Sequence, residues 1–220
     1  MNLNLVITED GSHTISIPEL GEHYHSVHGA INESRHIFIE AGLKYVLAGK
    51  NTINILEIGF GTGLNALLTF QEISKTKVSC EYHTVEAFPL IKEIYMKLNY
   101  SKILNISNEL FLSLHDSLWN KKISISPDFI FQKIYDSVLK ISLPKNYFDL
   151  IFFDAFAPDV QPEMWTKEVF SSIYNSMKTG AVLVTYSTKG DVKRTLKDTG
   201  FLIKKLPGPK GKREILRATK

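Results

Sequence analysis

The stretch Ile53-Asn-Ile-Leu-Glu57-Ile-Gly59-Phe-Gly61-Thr-Gly63-Leu-Asn65 decides the fold. Ile53, Ile55, Leu56 and Ile58 form a short apolar run of strand length. Three alternating glycines follow, and then Leu64, Leu67, Leu68 and Ile73 recur at helical spacing. A buried strand, a glycine turn and a helix in that order build the corner at which open α/β sheets bind ligands.

Working outward, the same alternation of strand and helix continues. Val78–Val85 reads as a second strand ending at Glu86, and a helix is expected from Pro89 to about Asn99. Ser101–Trp119 has a helical pattern and is expected to be an insertion. Phe129–Ile134 reads as a third strand running into Tyr135-Asp136. Phe148-Asp-Leu-Ile-Phe-Phe153 is almost continuously apolar, as suits the centre of a parallel sheet. A helix is expected over Glu163–Lys178 with Gly180 as its stop, then a strand over Ala181–Tyr186 and a helix over Gly190–Thr199 closed by Gly200. Phe201–Leu206 and Arg213–Ala218 would pair as two late strands. Before the core, residues 1–20 read as a hairpin, and Ile37, Ala41, Tyr45 and Val46 mark a helix ending near Gly49. The expectation is a single α/β domain over 1–220: an N-terminal hairpin and helix extension over 1–50, and a core over 51–220 with a helical insertion at about 100–122. Its sheet should be doubly wound and mostly parallel, with an antiparallel edge strand.

At 220 residues with 44% hydrophobic and 22% charged residues, the chain can bury a substantial core. A single cysteine, Cys80, excludes an internal disulfide framework. The N-terminus lacks a signal-peptide layout and no apolar run reaches membrane-span length, so no membrane association and a cytoplasmic location are expected. Nothing in the sequence marks an obligate protein partner. Four histidines, His23, His25, His28 and His36, crowd into fourteen residues, but their spacing matches no common metal-ligand pattern, so no metal is expected and a polar role at the edge of the site is preferred. The formal charge of +3 is uneven. Lys189–Lys220 holds eleven Lys and Arg against three acidic residues, a net of +8, which leaves −5 on the rest. Such a segment is either a solvated face or a surface for a polyanion.

The glycine spacing restricts the ligand. A dinucleotide corner spaces its glycines G-x-G-x-x-G, which would require glycine at position 64, where this chain has Leu64. Glu57-x-Gly59-x-Gly61-x-Gly63 instead resembles motif I of Rossmann-like S-adenosylmethionine-dependent methyltransferases. That cofactor carries an ammonium and a sulfonium, so carboxylates at strand ends become useful. Glu86, 25 residues after Gly61, suits the ribose hydroxyls, Asp136 the adenine amino group, and Glu57 the methionine ammonium directly or through water. Glu86 is equally readable as a surface residue at a strand end, and the insertion before Asp136 blurs its strand. Asp154 closes the fourth strand and precedes Ala-Phe-Ala-Pro. A carboxylate there either caps the next turn or faces the methyl acceptor. An alkylamine acceptor is about one part in a thousand neutral at pH 7, so the site must take a proton and orient the lone pair, work for which a carboxylate is suited.

Glu57-Ile-Gly-Phe-Gly-Thr-Gly-Leu-Asn65 and Asp154-Ala-Phe-Ala-Pro-Asp-Val-Gln-Pro-Glu-Met-Trp165 together resemble the MnmC methyltransferase-domain family in its stand-alone, MnmD-like form. Tyr24-His-Ser26, Gly29-Ala30, Glu33-Ser34 and Gly208-Pro-Lys-Gly-Lys-Arg-Glu214 agree, so the resemblance extends from about Tyr24 to Ala218. It implies S-adenosyl-L-methionine as methyl donor, the 5-aminomethyl group of a (2-thio)uridine at the tRNA wobble position as acceptor, and Asp154 as the catalytic aspartate. It also implies that the FAD oxidoreductase domain of the bifunctional form is missing, so the aminomethyl nucleoside must arrive ready-made. Given that resemblance, Tyr24, Phe156 and Trp165 become candidates to stack on an extruded base, with Trp165 equally readable as core. Lys210, Lys212 and Arg213 become candidates for phosphates of the anticodon region. The alternatives are a small-molecule amine methyltransferase, an aminopropyltransferase-like enzyme and a non-catalytic tRNA-binding module.

Overall fold

The computed structural model describes residues 2–220. The chain opens with a three-stranded antiparallel sheet of β1 (Asn4–Ile7), β2 (His13–Ile17) and β3 (Glu22–His23). Asp10 organises its first turn, accepting from the Ser12 amide at 3.0 Å and from the Thr8 hydroxyl at 2.8 Å. A helix follows. It starts as α1 (Ala30–Ser34), widens into a π-helical stretch over Arg35–Leu43 and ends as α2 (Lys44–Leu47). Gly42 lets it lie close to the main sheet: a Cβ there would stand 3.0 Å from a Val184 methyl.

The main sheet has eight strands. In chain order come β4 (Thr52–Ile58), α3 (Leu64–Ile73), β5 (Ser79–Glu86), α4 (Lys92–Tyr95), α5 (Tyr100–Leu104), α6 (Asn108–Asp116), β6 (Lys122–Ser126) and β7 (Phe129–Tyr135). Then come β8 (Phe148–Phe153), α7 (Lys167–Ser176), β9 (Met177–Thr185), α8 (Gly190–Thr199), β10 (Leu202–Pro207) and β11 (Glu214–Thr219). The strand order is β10-β11-β9-β8-β4-β5-β7-β6. The five strands from β9 to β7 are parallel, and both edges are antiparallel, β11 and β10 on one side and β6 on the other.

Period-two alternation divides the core between the sheet's two faces. Ile53, Ile55, Leu150 and Phe152 pack on one face with α3 and the 30–47 helix. Leu56, Ile58, Ile151 and Phe153 pack on the other with α7 and α8. The chain therefore winds both ways from β4. That places the ligand crevice of an open sheet beyond the carboxyl ends of β4 and its neighbours β5 and β8. One buried charge steadies the opposite end. Asp149 accepts from Lys50 at 2.7 Å, Lys178 at 2.8 Å and the Asn54 amide at 2.9 Å. Burial pushes its pKa up, but those donors hold it below the ordinary carboxylate value.

Several local expectations are corrected. The helix expected over 101–119 is two helices, because Asn105 turns left-handed (φ 53°) and Ser107 then caps α6 by accepting from the Leu110 amide. The helix expected from Pro89 shortens to α4. Gly180 does not stop a helix. α7 ends at Ser176, and β9 has already begun at Met177, with Gly180 (φ 77°) in the irregular part of its pairing with β8. The edge strand β6 was not anticipated.

Candidate active site

The glycine loop is shaped by what approaches it. Gly59 has φ 92°, and a Cβ there would stand 2.7 Å from the carbonyl oxygen of Asp154. Gly61 has φ 50°, and its Cβ would stand 3.1 Å from the Tyr24 ring. The loop is held on both sides: the Gly59 amide donates to Val85 at 2.9 Å, and the Asp154 amide donates to Ile58 at 3.0 Å. Glu86, at the end of β5, accepts from the Gly61 amide at 3.0 Å and the Phe88 amide at 2.7 Å. It thus locks the loop while lining the crevice. Asp136 follows β7 and accepts from the Ser137 amide at 2.7 Å.

These elements bound a cavity of about 960 Å³. Gly59, Gly61, Glu86 and Asp136 line it. Asp154, Asn65, Tyr24, Phe156, Tyr186 and Lys212 line the same cavity, with Tyr24 against Gly61 and the Asp154 backbone against Gly59. Of the expected site residues, Glu57, Gly63, Trp165, Lys210 and Arg213 do not line it. Glu57 is wholly buried, and neither of its carboxylate oxygens has a hydrogen-bond partner. Burial pushes its pKa up to about 8, and the charge of Asp154 adds to the rise. Thr84, Asn65 and Tyr82 pull the other way without closing a hydrogen bond. Gly63 opens α3 at φ 74°. Arg213 is exposed on the turn between β10 and β11, and Lys210 on the same turn pairs with Glu9 at 2.5 Å.

Asp154 sits at the mouth of β8. The Asn65 amide donates to its Oδ2 at 2.8 Å. Burial raises its pKa to about 7, the Asn65 hydrogen bond opposes that, and Glu33 raises it further. Two side chains brace the following loop from behind. Trp165 Nε1 donates to the Phe156 carbonyl and the Tyr186 hydroxyl to the Ala155 carbonyl, each at 2.8 Å. Trp165 is itself core, packed edge-on against Phe153. Tyr24 and Phe156 meet edge to face with centroids 5.2 Å apart, and both line the cavity that Asp154 lines.

Asn65, Glu33 and Tyr186, which the sequence assigns no role, line the cavity, and of the four histidines expected at the site edge His23, His25 and His28 line it while His36 does not. Asn65 carried a readable signal, being polar in the apolar first turn of α3. Glu33 shows only as part of a stretch of family resemblance, and Tyr186, at the end of an apolar strand, carries no such sign. The histidines differ in environment: His28 pairs with Glu9 at 2.8 Å, His36 meets the Pro207 carbonyl at 2.8 Å, and burial pushes the His25 pKa down to about 4.

The cavity suits S-adenosyl-L-methionine on its own chemistry. It offers a glycine cradle that any Cβ would fill, carboxylates at two strand ends for hydroxyl and amino groups, and unpartnered buried polar atoms on Asn65 and Thr62. Residues 114–220 match a family described as S-adenosyl-L-methionine-dependent methyltransferase. The crystal structure of MnmC2 from Aquifex aeolicus superposes with a TM-score of 0.80 at 25% identity, covering 99% of this chain and 70% of that one. The chain is similar to the S-adenosyl-L-methionine-dependent methyltransferases, in sequence over its second half and in fold over nearly its whole length. Among curated proteins it is 32% identical over 207 residues to the tRNA 5-methylaminomethyl-2-thiouridine biosynthesis bifunctional protein MnmC of Leptospira interrogans, covering 88% of this chain and 32% of that protein. The chain thus spans about a third of the length of the curated relatives it matches. Spermidine synthase from Thermotoga maritima shares the fold of this chain at a TM-score of 0.61 and 15% identity, covering 99% of this chain and 68% of that one. Among the described residues no helix is long and apolar enough to cross a membrane.

Proposed function

We propose that this methyltransferase transfers a methyl group to the amine of 5-aminomethyl(-2-thio)uridine at the tRNA wobble position, in the cytoplasm, giving the 5-methylaminomethyl nucleoside. The observation that carries the reading is Asp154. It is a carboxylate fixed by Asn65, lining one cavity with the glycine cradle and a pair of aromatic rings, with a pKa raised to about 7.

S-adenosyl-L-methionine, when bound, supplies an electrophilic methyl carbon. Gly59, Gly61, Glu86 and Asp136 would hold it, with Glu57 behind the loop. The protein's remaining work is on the acceptor. An alkylammonium has no lone pair to donate, so its proton must leave. Asp154, poised near neutrality, holds the ammonium when ionised and accepts that proton. Asn65 keeps one carboxylate oxygen fixed while this happens. Fixing the amine against the donor is the larger contribution, on the order of 7–11 kcal/mol at best. Tyr24 and Phe156 offer faces to an extruded base, while Trp165 supports the loop that carries Phe156. Lys212 in the cavity, with Lys210 and Arg213 on the same turn, suits phosphates flanking that base.

The test uses tRNA carrying 5-aminomethyluridine, incubated with the protein and S-adenosyl-L-methionine, followed by mass analysis of the nucleosides. Wild type is expected to add one methyl group and Asp154→Ala none. An unmodified nucleoside with folded, cofactor-binding wild type would overturn the reading.

A further inference from the structure

Glu33 is the least explained charge near the cavity. It lies on α1, and the residue is only 8% exposed. Its Oε2 accepts from the Ser26 amide at 2.7 Å. Its Oε1 has no hydrogen-bond partner although it is buried. A carboxylate oxygen in that state is costly unless a cation answers it. One does: Lys212 Nζ stands 3.3 Å from Oε1. That ammonium also lies over the Tyr186 ring, 4.9 Å from its centroid. Because the Tyr186 hydroxyl is committed to the Ala155 carbonyl, the ring offers its face.

A carboxylate and an aromatic face around one ammonium form a recognition box for alkylammonium groups. Glu33, Tyr186, Asp154 and Lys212 all line the same cavity. The group now held there is a primary alkylammonium on a flexible stem, the same chemistry as an aminomethyl group. Lys212 reaches the box from the turn that also carries Lys210 and exposed Arg213, and its own side chain is 31% exposed. It therefore has a route outward toward a phosphate.

Resting on the proposed amine acceptor, we infer that Glu33 is a second carboxylate of the acceptor subsite, gripping the substrate ammonium beside Asp154. Lys212 occupies that subsite as an internal stand-in until a nucleic-acid phosphate draws it away. Exchanging one ammonium for another leaves the charge of the box unchanged. A neutral 5-methyluridine cannot make the exchange, so the box selects the amine before any chemistry. It also couples phosphate docking to opening of the site.

The charged and titratable groups around Asp154 and Glu33 are Glu57 on β4, Tyr82 on β5, Glu22 and His25 from the 22–28 segment, Asp10 beyond His25, Tyr186 after β9, and Lys212. His25 is neutral above about pH 4, so Lys212 is the one cation among them near neutrality. Removing the Glu33 charge relieves Asp154 of a repulsion and moves the acidic limb of its activity to lower pH.

The experiment compares wild type, Glu33→Gln and Lys212→Gln on two acceptors, the free 5-aminomethyluridine nucleoside and tRNA carrying it, with cofactor affinity measured in parallel. Glu33→Gln retains an acceptor for the Ser26 amide. It is expected to raise KM for both acceptors by roughly tenfold or more, to leave kcat and cofactor affinity within about twofold, and to shift the acidic limb of kcat/KM downward. Lys212→Gln is expected to move the two acceptors in opposite directions: a lower KM for the nucleoside, which loses its competitor, and a higher KM for tRNA. An unchanged KM in Glu33→Gln, or a fall in kcat and cofactor affinity alone, overturns the inference. If Glu33→Gln does not fold, Lys212→Gln decides, and KM rising for both acceptors overturns it. If wild type methylates neither acceptor, the proposed function has failed, and calorimetric binding of 5-aminomethyluridine against 5-methyluridine decides the box. Equal affinities refute it, and a preference for the amine that Glu33→Gln abolishes supports it.

Discussion

Glu57 and Asp154 are carboxyls that this fold makes reluctant to ionise. Burial raises Glu57 to about 8 from an ordinary 4.5, and Asp154 to about 7 from 3.8. Between about pH 4 and pH 8 the folded chain therefore keeps protons that the unfolded chain has released. Their contribution to stability is full in acid and declines as pH rises through that window. Asp149 acts in the opposite sense, being held low by its lysines, so a variant must be compared with wild type rather than read alone. Glu57→Gln and Asp154→Asn each remove one such group. Each is expected to match wild type near pH 4 and to exceed it at pH 8, by an amount on the order of a few kcal/mol for Glu57. Urea denaturation across pH 4–8 measures this. A Glu57→Gln curve parallel to wild type would show that Glu57 ionises freely in the fold. Asp154→Asn is expected to gain stability while losing methyl transfer, the trade expected where a group is kept for chemistry.

At the scale of elements, two glycines with similar backbone angles separate conformational strain from close approach. Gly59 has φ 92° and the Asp154 carbonyl 2.7 Å from a prospective Cβ. Gly180 has φ 77° with nothing within 4 Å. Gly180→Ala is expected to cost only the left-handed penalty, about 1–2 kcal/mol. Gly59→Ala must in addition push β4 and β8 apart at the cradle, so it should cost more and lose S-adenosyl-L-methionine binding, whereas Gly180→Ala keeps it. Thermal denaturation with cofactor titration separates the two, and equal losses of binding would refute the distinction. The same pair shows what was legible. The strand–glycine–helix order around Gly59 has one common structural solution, so the sequence reading found it, and with it the sheet's centre at Phe148–Phe153. A glycine at positive φ serves equally at a helix end or in an irregular strand, so Gly180 was misread. Asn105 breaks a helical periodicity from within through its backbone alone. β6 escaped because Lys122–Ser126 offers only two isoleucines at a half-covered edge.

At the scale of the molecule, the two ends of the chain meet at the mouth of the site. Lys210 pairs with Glu9, His36 meets the Pro207 carbonyl, and a Gly211 Cβ would press on His28 at 2.3 Å. No periodicity in a sequence announces such a meeting, which is why Glu33 and Tyr186 were not assigned. It also changes what the net +8 of Lys189–Lys220 can do. Lys189 is held by Asp159, Arg194 by Asp191 and Lys205 by Glu214, while Lys220 donates to the Tyr174 and Met177 carbonyls. Arg213, exposed beside the cavity mouth, has no carboxylate partner among the described residues. Lys193, Lys197 and Lys204 likewise lack a carboxylate partner among the described residues, so the salt dependence of tRNA binding should report a few phosphate contacts rather than eleven, Arg213 at the β10–β11 turn among them. Binding is expected to weaken as salt rises, and Arg213→Ala to reduce the log–log slope by roughly 0.7–0.9. Lys189→Ala should leave the slope unchanged, because its charge is already answered by Asp159. Measured from low to moderate salt, a flat wild-type response would remove this turn as the docking face. An equal effect of both substitutions would spread the contact over the whole basic segment instead of the mouth of the site.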